Sequence, residues 1–580
     1  MKVKQTVLAA LTALILSPLF AETTVFAPGN GVTTNVAEQL PAGVDVQANT
    51  DTSGGGIVNL LNPLNGAIGT ATVKCGTLGV ETLRRSSQKS GIGTLSLGNG
   101  TFRYSGSTPA TTDMDILLDT AASNDAAVVW CDGDLKTTGA FDANNGAMIK
   151  TGPGTLTIAT AERTGYQIFS HSRQGTHYDW NMNMKANGDA PTQGYGNLTV
   201  REGHLVIDTP NTVTNILGWH VDAYDASSYI LVGCRSGATE AGSEPYGHLD
   251  IKSGTVYHRG LILVGYRNGT STTRPDADSG SSFNIYGGNF TRMGGSNQNS
   301  VNVGYVNAYD DRPGLPSFNI YGGTVDYILY TRLAVNRGSR GKMLVAGSTV
   351  TGYGIYGAHD NGGTSADDEY MPQAEVHVCS NGVLATQMIQ PCRQGYCDFT
   401  IRVTDGGTLK RTQAITPTAA YATSPMRLIL DGGNLQLGNA GYNVVSSNFT
   451  TRLGPQQSKF KVTGSGTYTF PCPIVTDNAT DGGLKIGGKA NTTVAFTGGM
   501  TIAGPIASDK NVTVKFGADA TTGAVVADDA DLYLAFGWTG SRFAKVTAAG
   551  WNVAGVARIT LDGAWTAGTY DLVSLPSDAT

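Results

Sequence analysis

Short runs of alternating apolar and polar residues, each closed by glycine, recur along the middle of the chain. One pattern is a strand that enters a glycine turn and resumes as a strand. It reads NLTVREGHLVI from Asn197, HLDIKSGTVY from His248, SFNIYGGNFT from Ser282 and SFNIYGGTVD from Ser317. Weaker copies are KMLVAGSTVT from Lys342, FTIRVTDGGTLK from Phe399 and LILDGGNLQL from Leu428. A second pattern is YILVGCRSG from Tyr229, LILVGYRNG from Leu261 and VNVGYVNA from Val301, with LAVNRGSRG from Leu333 as a worn fourth copy. Alternation such as Phe318-Asn319-Ile320-Tyr321 puts Phe318 and Ile320 on one face of a strand and the polar partner on the other. Gly322 and Gly323 then admit backbone angles that a Cβ would forbid, so the chain corners before Thr324 and Val325 resume the strand.

The copies are spaced regularly enough to align. Gly254, Gly288 and Gly323 are equivalent in the first pattern, and Gly233, Gly265 and Gly304 in the second; Gly382, Gly407 and Gly433 mark shorter repeats further on. A unit of roughly 25 to 35 residues buries its apolar face only against the next unit, so the predicted fold is all-β, a right-handed parallel β-helix with variable loops between rungs. Each coil carries at least two strands and one variable loop. About 16 to 22 coils stacked about 4.8 Å apart would make a rod on the order of 75 to 105 Å long. A propeller would need blades of about 40 to 45 residues at even spacing. A string of sandwiches would need turns every 8 to 12 residues or so and a signature in each domain. The expected organisation is an export signal over 1–21, a cap and first coils over 22–70, and coils over 71–196 with an irregular stretch near 166–196. Clear repeats follow over 197–440, then C-terminal coils and a terminal strand pair over 441–580.

Composition narrows the class. Glycine is 78 of 580 residues, nearly twice the usual share of about 7%, and charged residues are 14% against about 25%. No extended window has the 3.6-residue period of long amphipathic helices, and the recurring strands exclude disorder. Lys2 and Lys4 precede the apolar run 7–16, which is long enough for a signal-peptide core but too short to span a membrane; Pro18 and Ala21 predict cleavage after Ala21. A net charge of −6 without a basic aromatic-studded patch argues against nucleic acid as partner. Low charge with many hydroxyls and amides suits an extracellular surface, or one that touches sugars. Seven cysteines, Cys75, Cys131, Cys234, Cys379, Cys392, Cys397 and Cys472, include no paired CxxC motifs, which argues against structural zinc. Cys392 and Cys397, in CRQGYC, are close enough for a small disulfide loop; the others read as small buried fillers.

Candidate chemistry is sparse. His171, His177, His204, His220, His248, His258, His359 and His377 stand at no helical metal spacing. His171 and His177 share the irregular stretch with Asp179 and Trp180, best read as a polar loop, while His204, His248 and His377 fall on strands in outward or satisfied stacks. No nucleophile elbow or Walker loop is present, and residues 294–296 are a turn. Acidic groups gather in three variable loops: Asp276 and Asp278; Asp310 and Asp311 with Arg312; and Asp360, Asp367, Asp368 and Glu369. Such loops are mostly solvated turns; the alternatives are a calcium site or paired carboxylates for acid–base work. Tyr266, Tyr305, Tyr286 and Tyr321 recur at equivalent repeat positions, as a ladder between coils or as a surface for stacking sugars. No residue receives a catalytic, cofactor or metal role on this reading.

The segment MIKTGPGTLTIATAERTGY, residues 148–166, resembles the autotransporter-associated β-strand repeat, also called the passenger-associated transport repeat. Lys150, Thr151, Gly152, Gly154, Thr155, Leu156 and Ile158 match its core, and Thr164, Gly165 and Tyr166 form a rearranged ending. The resemblance implies an exported β-helical passenger that crosses the periplasm to the cell surface, outer membrane or medium. Such families close with a membrane barrel of about 12 strands, each alternating over about 10 residues. No region of that kind follows residue 441, so either the sequence is truncated or it is passenger-like without a translocator. The functional expectation is a non-catalytic structural or adhesive rod that presents inter-repeat loops to a glycan or surface ligand. The alternative is a secreted carbohydrate-active β-helix enzyme, a polysaccharide lyase or hydrolase.

Overall fold

A computed structural model describes residues 23–577 with breaks, the longer of which are 119–125, 173–197, 221–228, 237–245, 269–279, 293–299, 307–314 and 439–444. The expected export signal therefore lies outside the described residues. Among these residues every pairing of named strands is parallel, and the only helix is one 3-10 turn, Ala419–Tyr421. The chain is a parallel β-helix.

Each full coil has three sides. One coil runs through Gly247–Ser253 on the first face, Thr255–His258 on the second and Leu261–Asn268 on the third. The next repeats this order with Ser282–Ile285, Asn289–Arg292 and Ser300–Val306, each hydrogen-bonded in register to the strand before it. Further along, a single strand serves two faces. Thr324–Leu333 pairs with Asn289 and Phe290 at its start and with residues 300–303 at its end. Some twenty coils follow one another, which at about 4.8 Å per coil makes a rod on the order of 90 Å.

The core is one column of inward side chains. Leu205, Leu249, Phe283, Phe318, Met343, Val376, Ile401 and Leu428 occupy successive register positions and are buried. Phe283 and Phe318 lie almost flat on each other, with centroids 5.0 Å apart. Full burial of each such side chain contributes about 1.5–3 kcal/mol, and only the neighbouring coil supplies it.

Both glycine alignments read from the sequence hold in space. Val232, Val264 and Val303 pair across coils, which places Gly233, Gly265 and Gly304 at one corner; Thr255, Asn289 and Thr324 do the same for Gly254, Gly288 and Gly323. Gly288 has φ +75°, and a Cβ there would stand 2.3 Å from the carbonyl oxygen of Gly254. Left-handed backbone and close approach to the coil below both require glycine. At Gly382, Gly407 and Gly433 the register also matches, but the left-handed residue is the one before: Asn381, Gly406 and Gly432.

Among the described residues coil pairing begins at Thr23–Phe26, which pairs with Asp45–Ala48 inside the range expected to hold the first coils. Two expectations change. The C-terminal strands do not pair with each other: Ala557–Asp562 pairs with Leu532–Gly537, and Val573–Ser574 with the start of Val546–Val553, so coiling continues there. Cys392 and Cys397 are free, fully buried thiols, with the Cys392 Sγ 3.6 Å from the Cys397 carbonyl oxygen.

Candidate functional site

The first-face repeats carry polar outward ladders. His204 and His248 stack with centroids 4.4 Å apart. His204 Nδ1 meets Asp250 Oδ2 at 2.7 Å, and His248 Nδ1 meets Ser282 Oγ at 2.8 Å. The amide of Asn284 donates to Asp250 and Ser282, and that of Asn319 to Asn284 and Ser317. Burial first, then the adjoining His204, lowers the His248 pKa to about 4, so its ring is neutral. His377 is likewise satisfied, its Nε2 2.9 Å from Thr404 Oγ1. These histidines belong to satisfied stacks, as the sequence indicated. Tyr286 and Tyr321 also form the expected ladder, their exposed rings 5.2 Å apart and nearly parallel. Tyr266 and Tyr305 share a register position.

Lys150 explains part of the Lys-Thr-Gly segment. Its side chain is completely buried, and its ammonium donates to the carbonyl oxygens of Gly152 at 2.6 Å, of Gly154, and of Glu202 in the next coil at 2.8 Å. Burial lowers its pKa to about 8. The lysine thus ties together two coil corners from inside.

Of the acidic loops, Asp276, Asp278, Asp310, Asp311 and Arg312 lie outside the described residues, as do His177, Asp179 and Trp180. The third loop is described. Asp368 pairs through both oxygens with Arg337, at 2.8 and 2.9 Å, and accepts the backbone N–H groups of Thr364 and Tyr370. The Arg337 hydrogen bond holds its carboxyl far below the ordinary range. Asp368 is therefore a staple that shapes the loop. Asp367 and Glu369 point to solvent, and Asp360 accepts from His359. Among the described residues no three His, Cys, Asp or Glu side chains stand close enough to share a cation.

A different cluster emerges on the outer side of the third face. Register aligns Ile149, Thr199, Leu231, Leu263, Asn302, Arg332, Tyr356 and Gln390 along this side. Ile149, Leu231 and Leu263 are buried although they point away from the core column, so these strands are buried on both sides. Where the stripe turns polar, aromatic and basic groups converge. Tyr330 lies edge-on to Tyr353 at 5.5 Å and tilted against Tyr356 at 5.2 Å. Arg393 sits 4.4 Å over the Tyr356 ring, and Arg332 6.0 Å from that of Tyr330. His359 lies 5.5 Å from Tyr356 and contacts Asp360 through Nδ1 at 2.5 Å. Burial, with help from Arg332 and Arg393, lowers the His359 pKa against the opposing pull of Asp360. Burial raises that of Tyr356. Sequence analysis singled out none of these tyrosines and arginines. The signal was Tyr330, Tyr353 and Tyr356 with Arg332 and Arg393, spread over YILYTRL, GYGIYGAHD and CRQGYC and brought together only by the coil register.

No family model, no curated protein and no solved structure matches the chain.

Proposed function

We propose that this chain is an exported, non-catalytic structural or adhesive protein of a bacterial surface, a stiff shaft whose outer side contacts glycan. The observation that carries the reading is the unbroken column of coils sharing one core, because a long parallel stack resists bending while its loops vary freely. The basic start and short apolar run before Ala21, the low charge and the passenger-like Lys150 segment support export. The commitment of Asp368 to Arg337 speaks against an acid–base enzyme built on that loop.

The test is expression in a Gram-negative host with and without residues 1–21, followed by fractionation and negative-stain microscopy. The expected result is export that depends on residues 1–21, and rods on the order of 90 Å. Retention of both forms in the cytoplasm, or turnover of polysaccharides by the purified chain, would overturn the proposal.

A further inference from the structure

We infer that Tyr330, Tyr353 and Tyr356, with Arg332, Arg393 and His359, form a binding site for a carboxylate-bearing sugar of an acidic glycan. This rests on the reading of the molecule as a glycan-contacting rod and names the kind of glycan.

The first support is ring geometry. Tyr330 and Tyr353 are half-buried and stand at 86° to each other, so together they offer a ring face and a ring edge in one corner. The C–H face of a sugar ring packs on an aromatic face while its hydroxyls reach sideways to polar groups. Gly354 keeps this corner open, since a Cβ there would stand 3.3 Å from both Tyr330 Cδ1 and the Tyr356 hydroxyl. Tyr286 and Tyr321 differ: their rings lie 13° from parallel and cover each other.

The second support is charge. The Arg393 guanidinium lies on the ring of buried Tyr356 and forms no ion pair among the described residues. A guanidinium held over an aromatic ring keeps N–H donors at its edge, and their fork matches the two oxygens of a carboxylate. Arg332 brings a second guanidinium to the cluster, 6.0 Å from the Tyr330 ring.

The third support is an unfilled hydrogen bond. His359 is 8% exposed, and its Nε2 has no hydrogen-bond partner among the described residues. With Nδ1–H donated to Asp360, Nε2 carries a lone pair that a sugar hydroxyl can donate to. Buried polar atoms are nearly always paired, so an unpaired one beside three clustered tyrosines and an arginine outside any ion pair points to a ligand.

The experiment is titration calorimetry of the exported chain with tetragalacturonate and with its methyl ester, which removes the charge and keeps the sugar. Tetragalacturonate should bind at least about tenfold more tightly than the ester. Arg393→Gln and Tyr353→Ala should each weaken binding about tenfold or more, and Arg393→Lys should retain part of it. Both positions are half-buried at the surface, and circular dichroism checks that the fold is kept; if a variant fails to fold, the comparison of acid with ester on the parent chain still decides. No binding, equal binding of acid and ester, or folded Arg393→Gln and Tyr353→Ala variants that bind like the parent would overturn the inference. Failure to bind by a chain that still forms exported rods would sink this inference alone.

Discussion

Two buried residues, Lys150 and His258, illustrate how single side chains set the conditions of this fold. Among the described residues Lys150 is the only side chain that donates to the carbonyl oxygens of Gly154 and Glu202, in the interior between two coils. Replacing it by Met fills the volume but leaves buried acceptors unpaired, at about 1–3 kcal/mol each. Lys150→Met should therefore destabilise the coils around residues 147–207 by about 3 kcal/mol or more, read as faster amide exchange there. Unchanged exchange would mean that water replaces the ammonium. His258 acts through protonation. It is buried against Phe290, and burial lowers its pKa to about 4, below the unfolded value of about 6.5. Between those values the unfolded chain binds the proton and the folded chain does not. The contribution is thus intact above about pH 6.5 and is lost as pH falls towards 4, on the order of 3 kcal/mol in all. Acidification from pH 7.5 to 4.5 should lower the melting temperature of the parent more than that of His258→Phe. Equal losses would show that the ring is not buried uncharged.

At the scale of strands, what the sequence revealed followed from steric rules that act locally. Gly254, Gly288 and Gly323 were legible because a corner leaves one residue type to choose, and the spacing of that residue shows directly. Tyr286 and Tyr321 were legible as a ladder for the same reason: equivalent positions in a parallel stack must meet. The third side of the coil was less visible. YILV and LILV are continuous apolar runs, the mark of parallel strands buried on both sides, and they lack the alternation that signals a half-exposed strand. The left-handed corner also moved by one residue in the shorter coils, from glycine itself to Asn381, Gly406 and Gly432 ahead of it. Aligned glycines fix register without fixing which residue bends. The Tyr330–Arg393 cluster was illegible for a different reason. Its members are up to 63 residues apart in a chain of 580, and coils of unequal length bring them together only once every loop has been counted. Nor does charge separate the Asp368 loop from a cation site in the sequence: the partner that neutralises it, Arg337, belongs to the coil before.

For the molecule as a whole, a stack has a consequence that a globule does not. Each coil touches only its neighbours, so stability is a sum of coil terms and interface terms along one axis. The inward column is nevertheless continuous, from Val36 near one end to Ala548 near the other. These two facts make opposite predictions for a defect in the middle: local loosening if interfaces are separable, and global loss if the column behaves as one unit. Phe318 decides between them, because it is fully buried and lies flat on Phe283 in a central coil. Phe318→Ala removes about 3–5 kcal/mol of packing. With nearest-neighbour coupling, amide exchange should accelerate in Ser282–Ile285 and Arg340–Ala346, the strands paired on either side, and stay unchanged in Ile92–Leu97 and Val512–Phe516. A uniform rise along the chain would show that the rod unfolds as a single body. Its outer face would then keep its ring and charge geometry only while every coil is in place.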